Sequence, residues 1–189
     1  MPQTLTESKE ADEQFFEAVM RGTVLRQTLQ RYGFNKQTIF PSQHNSVLVI
    51  TKDEWTLYPA QRQTKALNIH FEARKRDELR LEIALEPYEG NVANKPDLFR
   101  QIQPLLTQKA QIIRMLRARV SNTNVLPTHI QVSTKYLPDP DEVRAQTIVK
   151  FIGTLPSALS PAQSASFFAE IVQAVTPLVE SSIAAMSPF

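Results

Sequence analysis

Four side chains of one predicted hairpin have the types and spacing for acid–base chemistry: His70, Glu72, Glu82 and Glu86. They lie within two segments that alternate apolar and polar residues, so each segment directs them to one side of a strand. A histidine beside a carboxylate can act as a general base or bind a divalent cation. The competing interpretation, which we favour, is a set of cross-strand pairs that serve only stability. The sequence therefore predicts no resident metal or cofactor, and favours a protein that is not an enzyme.

The charges of this hairpin distinguish two registers that both keep apolar residues opposite apolar residues. One register sets like charges against each other, with Glu72 opposite Glu82 and Arg74 opposite Arg80. The other sets opposite charges together: Arg74 with Glu78, Glu72 with Arg80, and His70 with Glu82. Opposite charges stabilise a cross-strand pair by about 0.2–1 kcal/mol. We therefore expect the second register.

The segment 98–138 contains no acidic residue. Four of its bases lie close together along a predicted helix and are candidates for binding nucleic acid or another anion: Lys109, Arg114, Arg117 and Arg119. No aromatic residue lies between Arg100 and Lys135, so stacking on bases is not supported. The alternative is a solvated helix face whose charge offsets the acidic N-terminal helix.

The last predicted helix has too few charges for a helix with one face in water. Its large apolar side chains are candidates for a protein interface: Phe167, Phe168, Ile171, Val175 and Val179. Burial within the chain and pairing with a second copy explain this composition equally well, so both alternatives stay open. Because its polar face has no basic residues, attachment to a membrane surface is disfavoured.

Composition and missing motifs exclude some classes of site and disfavour others. The chain has no cysteine and three histidines, which removes disulfides, zinc–thiolate sites and thiol nucleophiles. Walker A, GxGxxG, GxSxG and HExxH motifs are absent. A restriction-type nuclease site needs lysine two residues after its acid, but Ala84 follows Glu82 at that distance. No apolar run approaches the ~18 residues of a membrane span, and we expect a cytoplasmic, prokaryotic protein.

Periodicity predicts a single α+β domain over residues 1–189, with a sheet-containing part at 1–137 and a helical pair at 138–189. Gly33 ends a first helix that begins near Thr6, and Gly22 is a point at which it can divide. The predicted order is α-β-β-β-β-α-β-α-α, in which the sheet is antiparallel. Its five strands are Val47–Thr51, Trp55–Tyr58, Leu67–Arg74, Glu78–Glu86 and His129–Tyr136. The later helices are 96–119, one from Asp139 to Gly153, and one that begins at Ser160 and contains Pro177.

Residues 55–100 resemble an uncharacterised domain found after restriction-like nuclease cores in some bacterial proteins. The resemblance depends on Trp55, on Ile69-His70-Phe71-Glu72, on Leu81-Glu82-Ile83 with Glu86, and on Asn94-Lys95 with Phe99. In that family the domain is accessory, and this chain lacks the nuclease core. The resemblance implies a bacterial or phage setting and an accessory role.

Three functions follow as hypotheses. The first is a non-enzymatic protein-interaction module of inhibitor, immunity or assembly type, whose partner is another protein or a second copy. The second is a nucleic-acid-binding protein that uses the basic segment 98–138. The third is a hydrolase or nuclease with a site at His70, Glu72 and Glu82.

Overall fold

A computed structural model of the chain describes residues 5–41, 45–57, 67–75, 78–87, 104, 107–108, 110–111, 114, 132–136, 149–156 and 159–185. Within these ranges it confirms an α+β fold with an antiparallel sheet. Three helices are described in full: α1 (Leu5–Met20), α2 (Thr23–Arg31) and α3 (Pro161–Ala185). Seven strands pair into one sheet: β1 (Lys36–Pro41), β2 (Ser46–Thr51), β3 (Thr56–Leu57), β4 (Leu67–Lys75), β5 (Glu78–Pro87), β6 (Val132–Tyr136) and β7 (Val149–Pro156).

The first predicted helix is divided at Gly22, as its sequence allowed. Helix α2 then ends at Gly33, whose φ of 74° is easily reached only without a side chain. The amide of Phe34 donates to the Leu29 carbonyl at 2.9 Å, and the amide of Gly33 donates to the Gln30 carbonyl at 3.1 Å. This is the pattern of a Schellman C-cap, in which Phe34 and Leu29 are also both buried. The cap turns the chain from α2 into β1.

The strands lie in the order β1-β2-β4-β5-β7-β6, with β3 pairing beside β2 on β4. Two of them, β1 and β7, are additions to the predicted set of about five. The helix predicted from Asp139 to Gly153 is wrong over Val149–Gly153, because those residues belong to β7 and pair with β5. Alternating strand formers such as Val149 and Phe151 outweigh the helix-start signal before them.

The expected register of the β4–β5 hairpin is also wrong. Glu72 lies opposite Glu82 and Arg74 lies opposite Arg80, while His70 lies opposite Ala84. Within β4, the carboxylate of Glu72 pairs with the guanidinium of Arg74, two residues along the same strand. Because a charge can find its partner along a strand, complementarity across the strands does not decide the register.

The core lies between one face of the sheet and the three helices. Leu48 and Ile50 of β2 and Phe71 and Ala73 of β4 line this interface together with Phe168, Ile171 and Val172 of α3. Helix α3 begins with the predicted capping box: the Gln163 amide donates to Ser160 Oγ at 3.3 Å, and the Ser160 amide donates to Gln163 Oε1 at 2.9 Å.

Helix α3 continues through Pro177, which has no amide hydrogen to donate to the Gln173 carbonyl. The Tyr32 hydroxyl lies 3.5 Å from that carbonyl and donates to it. Among the described residues, α3 is the one helix long and apolar enough to cross a membrane, by length and composition. Most of its apolar side chains are buried in the core with the sheet and the other helices, which accounts for that composition.

Asp12 on the buried side of α1 gives a pH-dependent prediction. Burial raises the pKa of its carboxyl, which Lys75 and the Ser46 amide partly offset. The folded state therefore holds this proton more strongly than the unfolded state, so stability falls as pH rises above the ordinary value of 3.8. We expect Asp12→Asn to increase the free energy of unfolding at pH 7, measured by urea denaturation. The gain should disappear below pH 3.8, where both states are protonated.

Asp53 provides a control of opposite sign. Hydrogen bonds from Lys36 and Asn35 lower the pKa of this exposed carboxyl. Its stabilising contribution is present above the ordinary pKa and is lost as pH falls, so Asp53→Asn should reduce stability at pH 7.

A loss of stability in Asp12→Asn at pH 7 would show instead that the Asp12 carboxylate gains more from Lys75 than burial costs it.

Candidate functional site

A row of four polar side chains follows one face of β4: Asn68, His70, Glu72 and Arg74. Asn68, His70 and Glu72 are buried, and Arg74 is partly buried. Strand β4 is thus covered on both faces, because Ile69, Phe71 and Ala73 between them are buried too. Clean alternation of apolar and polar residues is typical of a sheet with one face in water. At β4, however, neither face of the sheet is open to water.

The contacts along this row are specific. Asn68 Oδ1 lies 3.2 Å from His70 Nδ1, and His70 Nε2 lies 3.6 Å from Glu72 Oε2. The other oxygen of Glu72 accepts from Arg74 Nε. At the far end, the Asn68 amide donates to the hydroxyls of Thr51 and Thr56, both at 3.2 Å. The row is a continuous polar network that joins β2, β3 and β4.

This geometry favours the structural interpretation of His70 and Glu72. A general base needs a ring nitrogen with a free lone pair within reach of substrate. Both nitrogens of His70 instead face oxygen atoms of its neighbours on the same strand. The ring is thus held between Asn68 and Glu72, and a buried polar network of this kind rigidifies a strand.

The other two catalytic candidates lie on β5. Backbone pairing places Glu82 opposite Glu72 and Glu86 opposite Asn68. Their side chains are outside the described part of the structure. In the part that is described, no cluster of three or more carboxylates and histidines could hold a metal ion.

Of the four basic candidates, the structure describes one. Arg114 is helical and exposed, in agreement with a helix over this segment. Lys109, Arg117 and Arg119 lie outside the described residues.

The five interface candidates of α3 are all buried within the chain. Phe167, Phe168, Ile171, Val175 and Val179 belong to the same core as Phe16 of α1 and Leu25 of α2. Of the two alternatives that composition left open, burial accounts for these side chains. These five side chains are therefore not exposed to a partner in this structure.

Strand β1, which the sequence interpretation missed, is the most exposed of the strands whose side chains the structure describes. In the described sheet β1 is an end strand with one neighbour, β2. Five of its six side chains are exposed, and Ile39 is intermediate. Phe40 is 42% exposed, which makes it one of two large exposed hydrophobic residues in the described ranges. Thr38, Ile39 and Phe40 are strand formers and were the signal available in the sequence.

The start of β1 is held in place. The Lys36 ammonium pairs with Asp53, and Asn35 Nδ2 donates to the other carboxylate oxygen of Asp53 at 3.1 Å. At the other end, Pro41 has no amide hydrogen for pairing. Lysine and proline restrict the pairing of edge strands, so the accessible stretch is Gln37–Phe40.

A second feature missed from the sequence is the buried lysine Lys52. Its Nζ donates to the Tyr32 carbonyl at 2.8 Å and to Glu180 of α3, and it lies over the Phe34 and Trp55 rings at 5.2 and 5.7 Å. The ammonium thus compensates the carbonyl end of α2 and connects it to α3. These contacts explain the lysine as a structural residue.

Comparison of the chain with known protein families, with curated proteins and with solved structures finds no match. The resemblance of residues 55–100 to an accessory domain stays a prediction.

Proposed function

We propose that this chain is a non-enzymatic protein-interaction module that binds an extended segment of a partner as an additional strand on β1. One observation carries this proposal: β1 is an edge strand with exposed side chains, including an exposed phenylalanine, on a sheet that is otherwise buried at β2 and β4. Alternate residues of an edge strand direct their amide and carbonyl groups away from the sheet, where another chain can bond to them. Strand addition is a common mode of peptide recognition.

The ends of β1 support specific addition rather than open-ended aggregation. Lys36 and Pro41 leave four residues between them, which limits how many backbone bonds a second chain can form. Phe40 supplies apolar area that a partner side chain can cover. The partner that contributes the strand then decides whether the role is of inhibitor, immunity or assembly type.

A proline scan of β1 tests the proposal. Peptides that bind the chain are first selected from a random peptide library, and their affinity is measured for the wild type, Gln37→Pro and Thr38→Pro. Adjacent strand residues point their amides in opposite directions. One proline therefore removes an amide bonded to β2, and the other removes an amide available to the partner.

The outward proline should leave the melting temperature nearly unchanged and weaken peptide binding by at least about tenfold, since backbone bonds supply the affinity in strand addition. The inward proline should lower the melting temperature, and this difference identifies which of the two variants has lost an amide bonded to β2. Unchanged peptide affinity in the correctly folded proline variant would contradict the proposal, as would a failure to select any binding peptide.

A further inference from the structure

The faces of β1 can be assigned from its pairing with β2. Gln37 lies opposite Ile50 and Ile39 lies opposite Leu48, and both β2 residues face the helices. Directly paired residues share a face of the sheet. Gln37 and Ile39 therefore lie on the helical side of β1, whereas Thr38 and Phe40 lie on the opposite side.

Helix α1 borders the helical side of this edge. It contacts both β1 and β2, and Ser46 Oγ at the start of β2 donates to its Lys9 carbonyl at 3.2 Å. Three exposed acids follow one flank of α1 at helical spacing: Glu10, Glu13 and Glu17, of which Glu17 also pairs with Arg21 at 3.0 Å. That flank is opposite Phe15, whose ring lies 4.2 Å from the ammonium of Lys75 on β4. The acidic flank thus points away from β4, and β1 lies on the other side of β2 from β4.

We infer that the segment added to β1 is basic and amphipathic, with lysine or arginine on its helical side, next to the acidic flank of α1, and apolar residues on the side of Phe40. This inference depends on the proposed strand addition and names the chemistry of its occupant. Successive side chains of a strand alternate between its faces. An alternating basic–apolar sequence therefore meets both requirements at once.

A second copy of this chain fits the edge less well. Pairing β1 with β1 of another copy would bring two α1 helices to the same junction, each with the same row of acids. Like charges across an interface oppose association. The charge of α1 thus favours a basic partner over self-association.

Three peptides of equal length test the inference: valine alternating with lysine, with threonine, or with glutamate. Binding is measured by fluorescence anisotropy, and the site is mapped by the amide resonances of β1. The lysine peptide should bind about tenfold more tightly than the threonine peptide and more tightly still than the glutamate peptide. The preference should weaken between ~50 mM and ~500 mM salt, since screening shortens the reach of exposed charges.

Variants of α1 test whether its acids cause the preference for the lysine peptide. Glu10→Gln/Glu13→Gln/Glu17→Gln should reduce the affinity of the lysine peptide by about tenfold and leave the threonine peptide unchanged. The control Gln27→Lys/Gln30→Lys/Gln173→Lys changes net charge equally at exposed positions of α2 and α3, and should alter either affinity by less than about twofold.

The outcomes separate this inference from the proposed function. Equal binding of all three peptides at β1 overturns the basic partner and leaves strand addition intact. A dimer paired through β1 also overturns the basic partner. If none of the three peptides binds β1, strand addition and the inference both fail.

Discussion

Replacement of Glu72 by alanine is expected to lower the free energy of unfolding by about 3 kcal/mol. The Glu72 side chain is 4% exposed and its carboxylate lies between the guanidinium of Arg74 and the imidazole of His70. Removal of one partner of a buried ion pair costs about 3–5 kcal/mol, because the other charge stays buried. Since the Arg74 side chain is 34% exposed and can reach water, the lower end of that range applies.

Stability is measured by urea denaturation. One further variant separates charge from packing, and a second is a control at an exposed position. Glu72→Gln keeps the shape of the side chain but removes its charge, so its free energy of unfolding should fall by most of the amount lost in Glu72→Ala. Glu54→Ala removes an exposed acid and should change stability by less than about 0.5 kcal/mol.

The sign of the Glu72 result also bears on function. Active sites hold charges in unfavourable surroundings, so replacement of a catalytic residue often stabilises a protein. A Glu72→Ala variant more stable than the wild type would therefore contradict the structural role and favour a hydrolase or nuclease site on this strand. A loss of about 3 kcal/mol supports the polar row as a stabilising network.

Gly22→Ala is expected to lower the free energy of unfolding by about 1–3 kcal/mol. A Cβ at this position would lie 2.6 Å from the Cβ of Ala165 in α3 and 3.0 Å from the Val19 carbonyl. Neither neighbour is the end of a flexible side chain, so the α1–α2 junction and α3 must separate. The close approach of these helices, rather than an unusual backbone angle, requires glycine here.

A double-mutant cycle identifies the contact responsible. Ala165→Gly alone should cost about 1 kcal/mol of helix propensity. Combined with Gly22→Ala it should recover about 1–2 kcal/mol of the loss, because the shortened side chain admits the new methyl group. Thr23→Ala, at an exposed neighbouring position, serves as the control. Strict additivity of Gly22→Ala and Ala165→Gly would refute the close approach.

The sequence was informative wherever a local pattern decided the structure. Alternation located the hairpin strands β4 and β5, Gly22 and Gly33 marked the ends of helices, and Ser160 with Gln163 marked the start of α3. Each of these signals acts over a few neighbouring residues. The charges could not give the hairpin register, because Glu72 pairs with Arg74 along its own strand.

The missed features depend on contacts between distant segments. Strand β7 exists because residues 149–156 pair with β5, while Asp139-Pro140-Asp141-Glu142 before it has the composition of a helix start. The burial of His70 and Glu72 is a property of the folded sheet, as is the exposure of β1 at its end. A position at the edge of a sheet follows from strand order, which short-range patterns do not contain.

The most direct test is an isotope-edited nuclear Overhauser measurement on the labelled chain with the bound lysine–valine peptide. Strand addition predicts close contacts between backbone protons of the peptide and those of alternate residues within Gln37–Phe40, the short distances of an antiparallel ladder. It also predicts slower hydrogen exchange at the outward amides of β1. Contacts of the peptide with α2 around Val24, or with α3, and none with β1 would contradict strand addition.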